Sequence, residues 1–156
     1  EGDVELDDAE CAAAEPDATR AGLEQAATAL ERRDAVAAAE AIRELEAVAA
    51  DHPALGLLRA QLAFVEAANA EPDVPGLRVR LERDPADAAA RHALAAHHAL
   101  AGDFATACAE WLELMRRDRR YGDDLARRSL LMAFAALGEG HELTLATRRR
   151  MATLLH

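Results

Sequence analysis

Lysine is absent from this chain, and all 18 of its basic residues are arginine. Tryptophan and tyrosine occur once each, and aromatics make up only 3% of the 156 residues. Side chains so short of bulky rings cannot fill a thick core, although they can let thin elements approach closely. The same scarcity leaves no stacking platform for nucleic acid, and a net charge of −11 repels both nucleic acid and anionic membrane surfaces. No apolar run approaches the roughly 20 residues that a membrane-spanning helix needs. The opening stretch Glu1–Asp8 has neither the positive charge nor the apolar core of a signal peptide. There are two cysteines, Cys11 and Cys108, neither with a second Cys at metal or redox spacing. No disulfide framework is expected, and a reducing cytoplasm fits best. Also missing are Gly-X-Ser-X-Gly, a phosphate loop and a dinucleotide fingerprint. The expectation is a protein that is not an enzyme and uses no cofactor.

What the chain has in abundance is alanine, 41 residues of it, and alanine is the best helix former. The acidity is uneven. Residues 1–52 carry 15 acids and 4 arginines, whereas residues 53–156 carry 14 of each. Residues 1–17, acidic and interrupted by Pro16, read as a flexible tail or linker, and 18–156 as one helical domain. Apolar residues then recur at spacings of three and four, one face per helix. The stripes are Leu23, Ala26, Ala27 and Leu30; Val36, Ala39, Ile42, Leu45 and Val48; and Leu57, Leu58, Leu62, Phe64 and Val65. A short helix follows over 76–83, with further helices over 87–101, 103–118, 124–137 and 142–155. Asp87 is a candidate N-cap. No segment alternates with period two for long enough to make a strand. The fold class is all-α, with about seven or eight helices in antiparallel hairpins.

One unit, starting at Ala88, fits the 34-residue tetratricopeptide repeat. Leu94 and Ala95 take the paired large and small positions, and His98 stands where a large residue is usual. Gly102-Asp103-Phe104 makes the turn, Ala107 is the small residue at the crossing, and Trp111 and Leu114 fill the following core sites. Two helices cross closely only if a small residue sits between them. The contact at Ala107 should therefore lock Trp111 and Leu94 together. The unit before it is degenerate, cut short by Pro72 and Pro75, and the hairpin near 18–52 fits loosely through Asp34, Ala38, Ile42 and Leu45. One good repeat needs flanking helices to cap it. The whole reads as a tetratricopeptide-like array wound in a right-handed superhelix.

A narrower likeness runs through the second half, in Pro75–Pro85, Ala90–Ala95, Glu113–Arg119, Asp123–Arg128, Phe134–Gly138 and Arg148–Leu155. In these segments the chain resembles the C-terminal domain of bacterial thioredoxin-domain co-chaperones of the YbbN, or chaperedoxin, type. The resemblance implies a module that holds unfolded protein clients and passes them to the chaperonin. It also implies docking on the chaperonin through the last helix, around Arg148, Met151, Leu154 and Leu155. A thioredoxin domain, if the protein has one, would stand upstream of Glu1. This chain carries no Cys-X-X-Cys, so no redox role falls on it.

Other chemistry has weaker support. His92, His97 and His98 share a helix, but no pair has the i, i+4 spacing of a helical zinc site. A core-edge His98 and a small buried Cys108 are favoured over a metal site. The arginine clusters at 116–120, 127–128 and 148–150 are expected to pair with Asp118, Asp123 and Asp124 or to sit at helix C-termini. Some tetratricopeptide domains clamp a peptide's C-terminal carboxylate with Lys and Asn. The corresponding positions here are His92 and Ala96, which points to a groove for apolar or helical segments instead. The alternative to a co-chaperone is a generic scaffold or a homodimerisation domain.

Overall fold

The computed structural model describes residues 16–156. Cys11 and nearly all of the acidic 1–17 segment lie outside the described residues. Eight helices make up the described chain: α1 (Asp17–Glu31), α2 (Ala35–Val48), α3 (Leu55–Ala70), α4 (Val74–Arg83), α5 (Ala88–Leu100), α6 (Phe104–Arg117), α7 (Leu125–Leu137) and α8 (Glu142–Leu155). Among these residues there is no strand. Helix α4 starts two residues earlier than the proline positions suggest, because Pro75 sits in the first turn, where a missing N–H costs nothing.

Aspartates cap half of the eight helix starts. Asp34, Asp73, Asp87 and Asp103 each accept a hydrogen bond from the amide three residues on, at 3.0, 3.1, 2.9 and 3.1 Å. Each satisfies one of the orphan N–H groups of its helix. A Cβ at Gly76 would lie 2.2 Å from the Asp73 carboxylate, so a side chain there would require that carboxylate to shift.

The α1–α2 and α5–α6 turns have the same construction. At the end of α5, Asp103 N–H bonds to the His98 carbonyl and Gly102 N–H to that of Ala99, with Gly102 at φ +80°. At the end of α1, Asp34 N–H bonds to the Ala29 carbonyl and Arg33 N–H to that of Leu30, with Arg33 at φ 56°. Both are Schellman endings followed at once by an Asp cap. They lie 69 residues apart, close to two repeat lengths.

Three apolar clusters hold the helices together. The first joins Phe64 of α3 to α5, α6 and α7 through Ala95, Ala96, Ala99, Ala107, Trp111, Leu114, Leu130 and Phe134. The second joins α1, α2 and α3 through Ala26, Leu30, Ala38, Ile42, Leu45, Leu58 and Val65. The third is smaller: Leu77 of α4 with Ala90, Ala93 and Leu94 of α5. Helix α3 is central because its adjacent residues Phe64 and Val65 point into different clusters. It contacts α1, α2, α5 and α7, while α4 lies mainly on α5.

Four stripe residues turn out to be exposed: Ala27, Val36 (71%), Val48 (62%) and Leu57 (36%). On α2 the buried face is Ala38, Ala41, Ile42 and Leu45. Close approach of α1 and α2 is made by alanines there, and hydrophobicity alone cannot separate a buried alanine from an exposed one.

The turn before α7 is strained. Gly122, Asp123 and Asp124 are left-handed in succession, with φ of 56°, 59° and 58°. Arg128 bridges the turn by donating to the Gly122 and Asp123 carbonyls at 2.6 and 3.1 Å. Each non-glycine residue in that region costs about 1 kcal/mol. Asp124 makes no side-chain cap, so Asp124→Gly should raise stability by about 1 kcal/mol in a urea titration. A loss of stability would show that the carboxylate has an interaction that outweighs the strain.

Candidate partner-binding surfaces

Helices α5 and α6 pack against each other, with Ala95, Ala96 and Ala107 all fully buried. Trp111, also fully buried, stacks on Phe64 with ring centroids 5.2 Å apart. Its indole N–H donates to His92 Nδ1 at 3.2 Å. Leu94 does not join this contact. It belongs to the α4–α5 cluster with Leu77, so Phe64 and His92 take the place expected for Leu94. The long-range stack with Phe64 has no signature in the repeat spacing.

His92 is thus occupied from within. Burial, and secondly the charge of Arg128, push its pKa down to about 4, and the neutral Nδ1 serves the indole. Ala96 is 0% exposed and has no surface to offer a ligand. A groove with His92 and Ala96 on its wall is therefore not what this helix presents. His97 and His98, further along, sit at the surface edge of α5. His97 Nε2 lies 2.8 Å from the Glu71 carbonyl, and His98 Nδ1 lies 3.2 Å from the Asp103 carboxylate.

Cys108 is 1% exposed, and burial pushes its thiol up to about 11, slightly offset by a hydrogen bond with Thr147 of α8. It behaves as a small core residue. Among the described residues, no group of three His, Cys, Asp or Glu side chains is placed to hold a metal ion.

Helix α8 is anchored along one face. Thr144 and Thr147 are buried, and Met151 and Leu154 pack against the α6–α7 cluster. The Thr144 hydroxyl is buried without a hydrogen-bond partner. Arg148 lies 5.2 Å from the centre of the Phe134 ring and pairs with Glu139 at 2.5 Å. Of the four residues expected at the docking surface, Arg148, Met151 and Leu154 are thus partly used internally, and Leu155 is 37% exposed. Arg149, Arg150 and Leu145 are exposed on the other side. A cleft of about 280 Å³ runs between α6 and α8, with Leu112 and Leu154 in its walls and Arg116 and Arg150 at its rim.

The ion pairs made by the arginine clusters are not with the aspartates expected from sequence. Arg116 and Arg117 both bind Glu113, at 2.7 and 2.5 Å. Glu113 is held well below the usual carboxylate range, at about 2, by Arg116 first and Arg117 second. Both arginines also lie in the last turn of α6, where the helix dipole favours positive charge.

Residues 67–156, more than half of the chain, match the tetratricopeptide repeat family. The chain belongs to the tetratricopeptide repeat family. Domains of this kind are generally non-catalytic protein-interaction modules, so protein partners are what this tetratricopeptide domain offers its surfaces to. No curated protein and no solved structure matches the chain. Among the described residues, no helix is long and apolar enough to cross a membrane.

Proposed function

We propose that this tetratricopeptide domain is the non-catalytic partner-binding part of a bacterial, cytoplasmic thioredoxin-type co-chaperone. In this reading it engages unfolded clients and the chaperonin, with the outer side of α8 as the docking element. The supporting observation is the two-sidedness of α8. Its inner face is fixed by Thr144, Thr147, Met151 and Leu154, while Arg149, Arg150 and Leu155 remain exposed beside a cleft. A helix held in this way presents a preorganised side to a partner. The resemblance over residues 74–155 names that partner as the chaperonin.

Deleting the last helix would be a poor test, because Thr147 bonds to buried Cys108, and Met151 and Leu154 pack on the core cluster. Substituting outward residues is cleaner. Arg149→Glu with Leu155→Asp should abolish co-purification with the chaperonin and leave the far-ultraviolet circular dichroism spectrum unchanged. Undiminished co-purification would reject α8 as the docking element.

The exposed Val36 and Val48 on α2 are the observation behind the second reading, a dimerising scaffold with no chaperone role. Static light scattering separates the two, since a stable dimer dissociated by Val36→Asp supports the scaffold.

A further inference from the structure

Between the α1–α2 turn, the start of α4 and the end of α5 lies an open pocket of about 410 Å³. Arg33, Arg78, His97 and His98 line it, over an apolar floor that includes Val74 and Leu94. Among the described residues no carboxylate lines this pocket, although the chain has 29 acids against 18 arginines. Four neighbouring acids have partners of their own. Asp34 and Asp73 cap α2 and α4, Glu71 pairs with Arg80, and Asp103 caps α6 beside His98. A cationic recess in an acidic protein concentrates field of one sign and attracts anionic groups.

Arg33 occupies the left-handed position of its Schellman ending, at φ 56°. Gly102 fills the same position in the sister turn, without steric cost. Asn69 Nδ2 donates to the Arg33 carbonyl at 2.9 Å and holds the turn against α3. The fold itself would be better served by glycine here, so an arginine at this place points to a use for its guanidinium.

We propose that this pocket receives an acidic–aliphatic peptide segment of a partner. One or two Asp or Glu carboxylates would sit between Arg33 and Arg78, and a neighbouring branched aliphatic side chain would rest on Val74 and Leu94. Guanidinium and carboxylate make strong charge-assisted bonds. No Phe, Tyr or Trp lines the pocket, and a bare phosphate would leave its apolar part unused. The inference rests on the protein-interaction character of the domain and is independent of the chaperonin reading.

The probe is a labelled peptide Asp-Val-Glu-Leu-Asp-Asp, with Asn-Val-Gln-Leu-Asn-Asn as its uncharged counterpart. The same acidic stretch stands at residues 3–8 of this chain. The titration is therefore run on the full chain and on the full chain carrying Asp3→Asn, Glu5→Gln, Asp7→Asn and Asp8→Asn, which removes an internal competitor. Fluorescence anisotropy should show the acidic peptide binding about tenfold or more tightly than its counterpart in at least one of the two, and weakening with salt. Arg33→Gly with Arg78→Gln should lose that preference, while Arg33→Gly alone leaves the thermal midpoint unchanged or higher. Arg78→Gln, at an exposed site, repeats the test without touching the turn. Equal binding of the two peptides to both chains would overturn the proposal, as would a preference untouched by the arginine substitutions.

Discussion

Trp111→Ala should destabilise the domain by about 3–5 kcal/mol, as expected for emptying a large, fully buried ring site. Trp111 is the largest fully buried side chain, and it ties its own α5–α6 hairpin to α3. Its ring stacks on Phe64 of α3, and its N–H is held by His92 of α5. Total stabilities of domains this size are only about 5–15 kcal/mol, so the variant should unfold at a much lower urea concentration. Trp111→Phe keeps a stacked ring and loses the hydrogen bond, and should cost clearly less. Phe64→Ala should cost about as much as Trp111→Ala by itself, and the double variant should cost less than the sum, because each empties the same contact. Simple additivity would mean that the stack contributes nothing as a pair.

The second large effect is acid lability below pH 6.5. His92 has its folded pKa depressed from 6.5 to about 4, by burial first and Arg128 second. Between those values the unfolded chain binds a proton that the native state refuses, so stability falls as the pH falls. The loss is absent above about pH 6.5 and complete below about pH 4, and amounts to at most about 3 kcal/mol. Protonation would also turn Nδ1 into a donor and strip the indole N–H of its acceptor. Three carboxylates add to the loss at lower pH. Asp87 is held below its ordinary pKa by Arg80 and the Ala90 amide, Asp103 by Thr106, and Glu113 by Arg116 and Arg117. Their stabilisation is present above the ordinary carboxylate range and disappears as the pH falls through their lowered values. His92→Gln keeps a possible acceptor for the indole and removes the titration. Its urea midpoint should therefore vary much less between pH 6.5 and 4.5 than that of the parent chain. An equal slope in both would assign the acid sensitivity to other groups.

Helix positions were legible because their signals are local. Aspartates before alanine-rich runs mark starts, and Gly102 and Gly138 mark stops, each at a positive φ. The turn at Arg33-Asp34 was legible only as an Asp, since nothing in sequence shows that an arginine takes the place of glycine in a Schellman ending. The crossing at Ala107 was legible as well, because small and large residues alternate there at repeat spacing. The partner of Trp111 was not. Phe64 lies in the degenerate preceding unit, and its approach depends on α3 sitting between two clusters, a long-range outcome that periodicity does not encode. Burial was misjudged where alanine decides it, as on α2, where Val36 faces solvent and Ala38 is fully buried.

The candidate surfaces follow the same pattern. Repeat register put His92 and Ala96 on a groove wall, but Ala96 is closed off and His92 serves Trp111. The face of α8 was foreseeable from family resemblance, whereas the division between its anchored and outward residues depends on α6 and α7. The cationic pocket gathers residues 33, 78, 97 and 98 from three separate stretches. No spacing rule links them, and only the docking of α4 on α5 and the bend after α1 bring them together.

The central claim is a close helical pair pinned by Trp111, and the chain's single tryptophan reports on it directly. The native full chain should give blue-shifted tryptophan fluorescence that acrylamide and iodide barely quench, changing to red-shifted, readily quenched emission only on unfolding. Red-shifted, readily quenched emission from the folded chain would contradict the account.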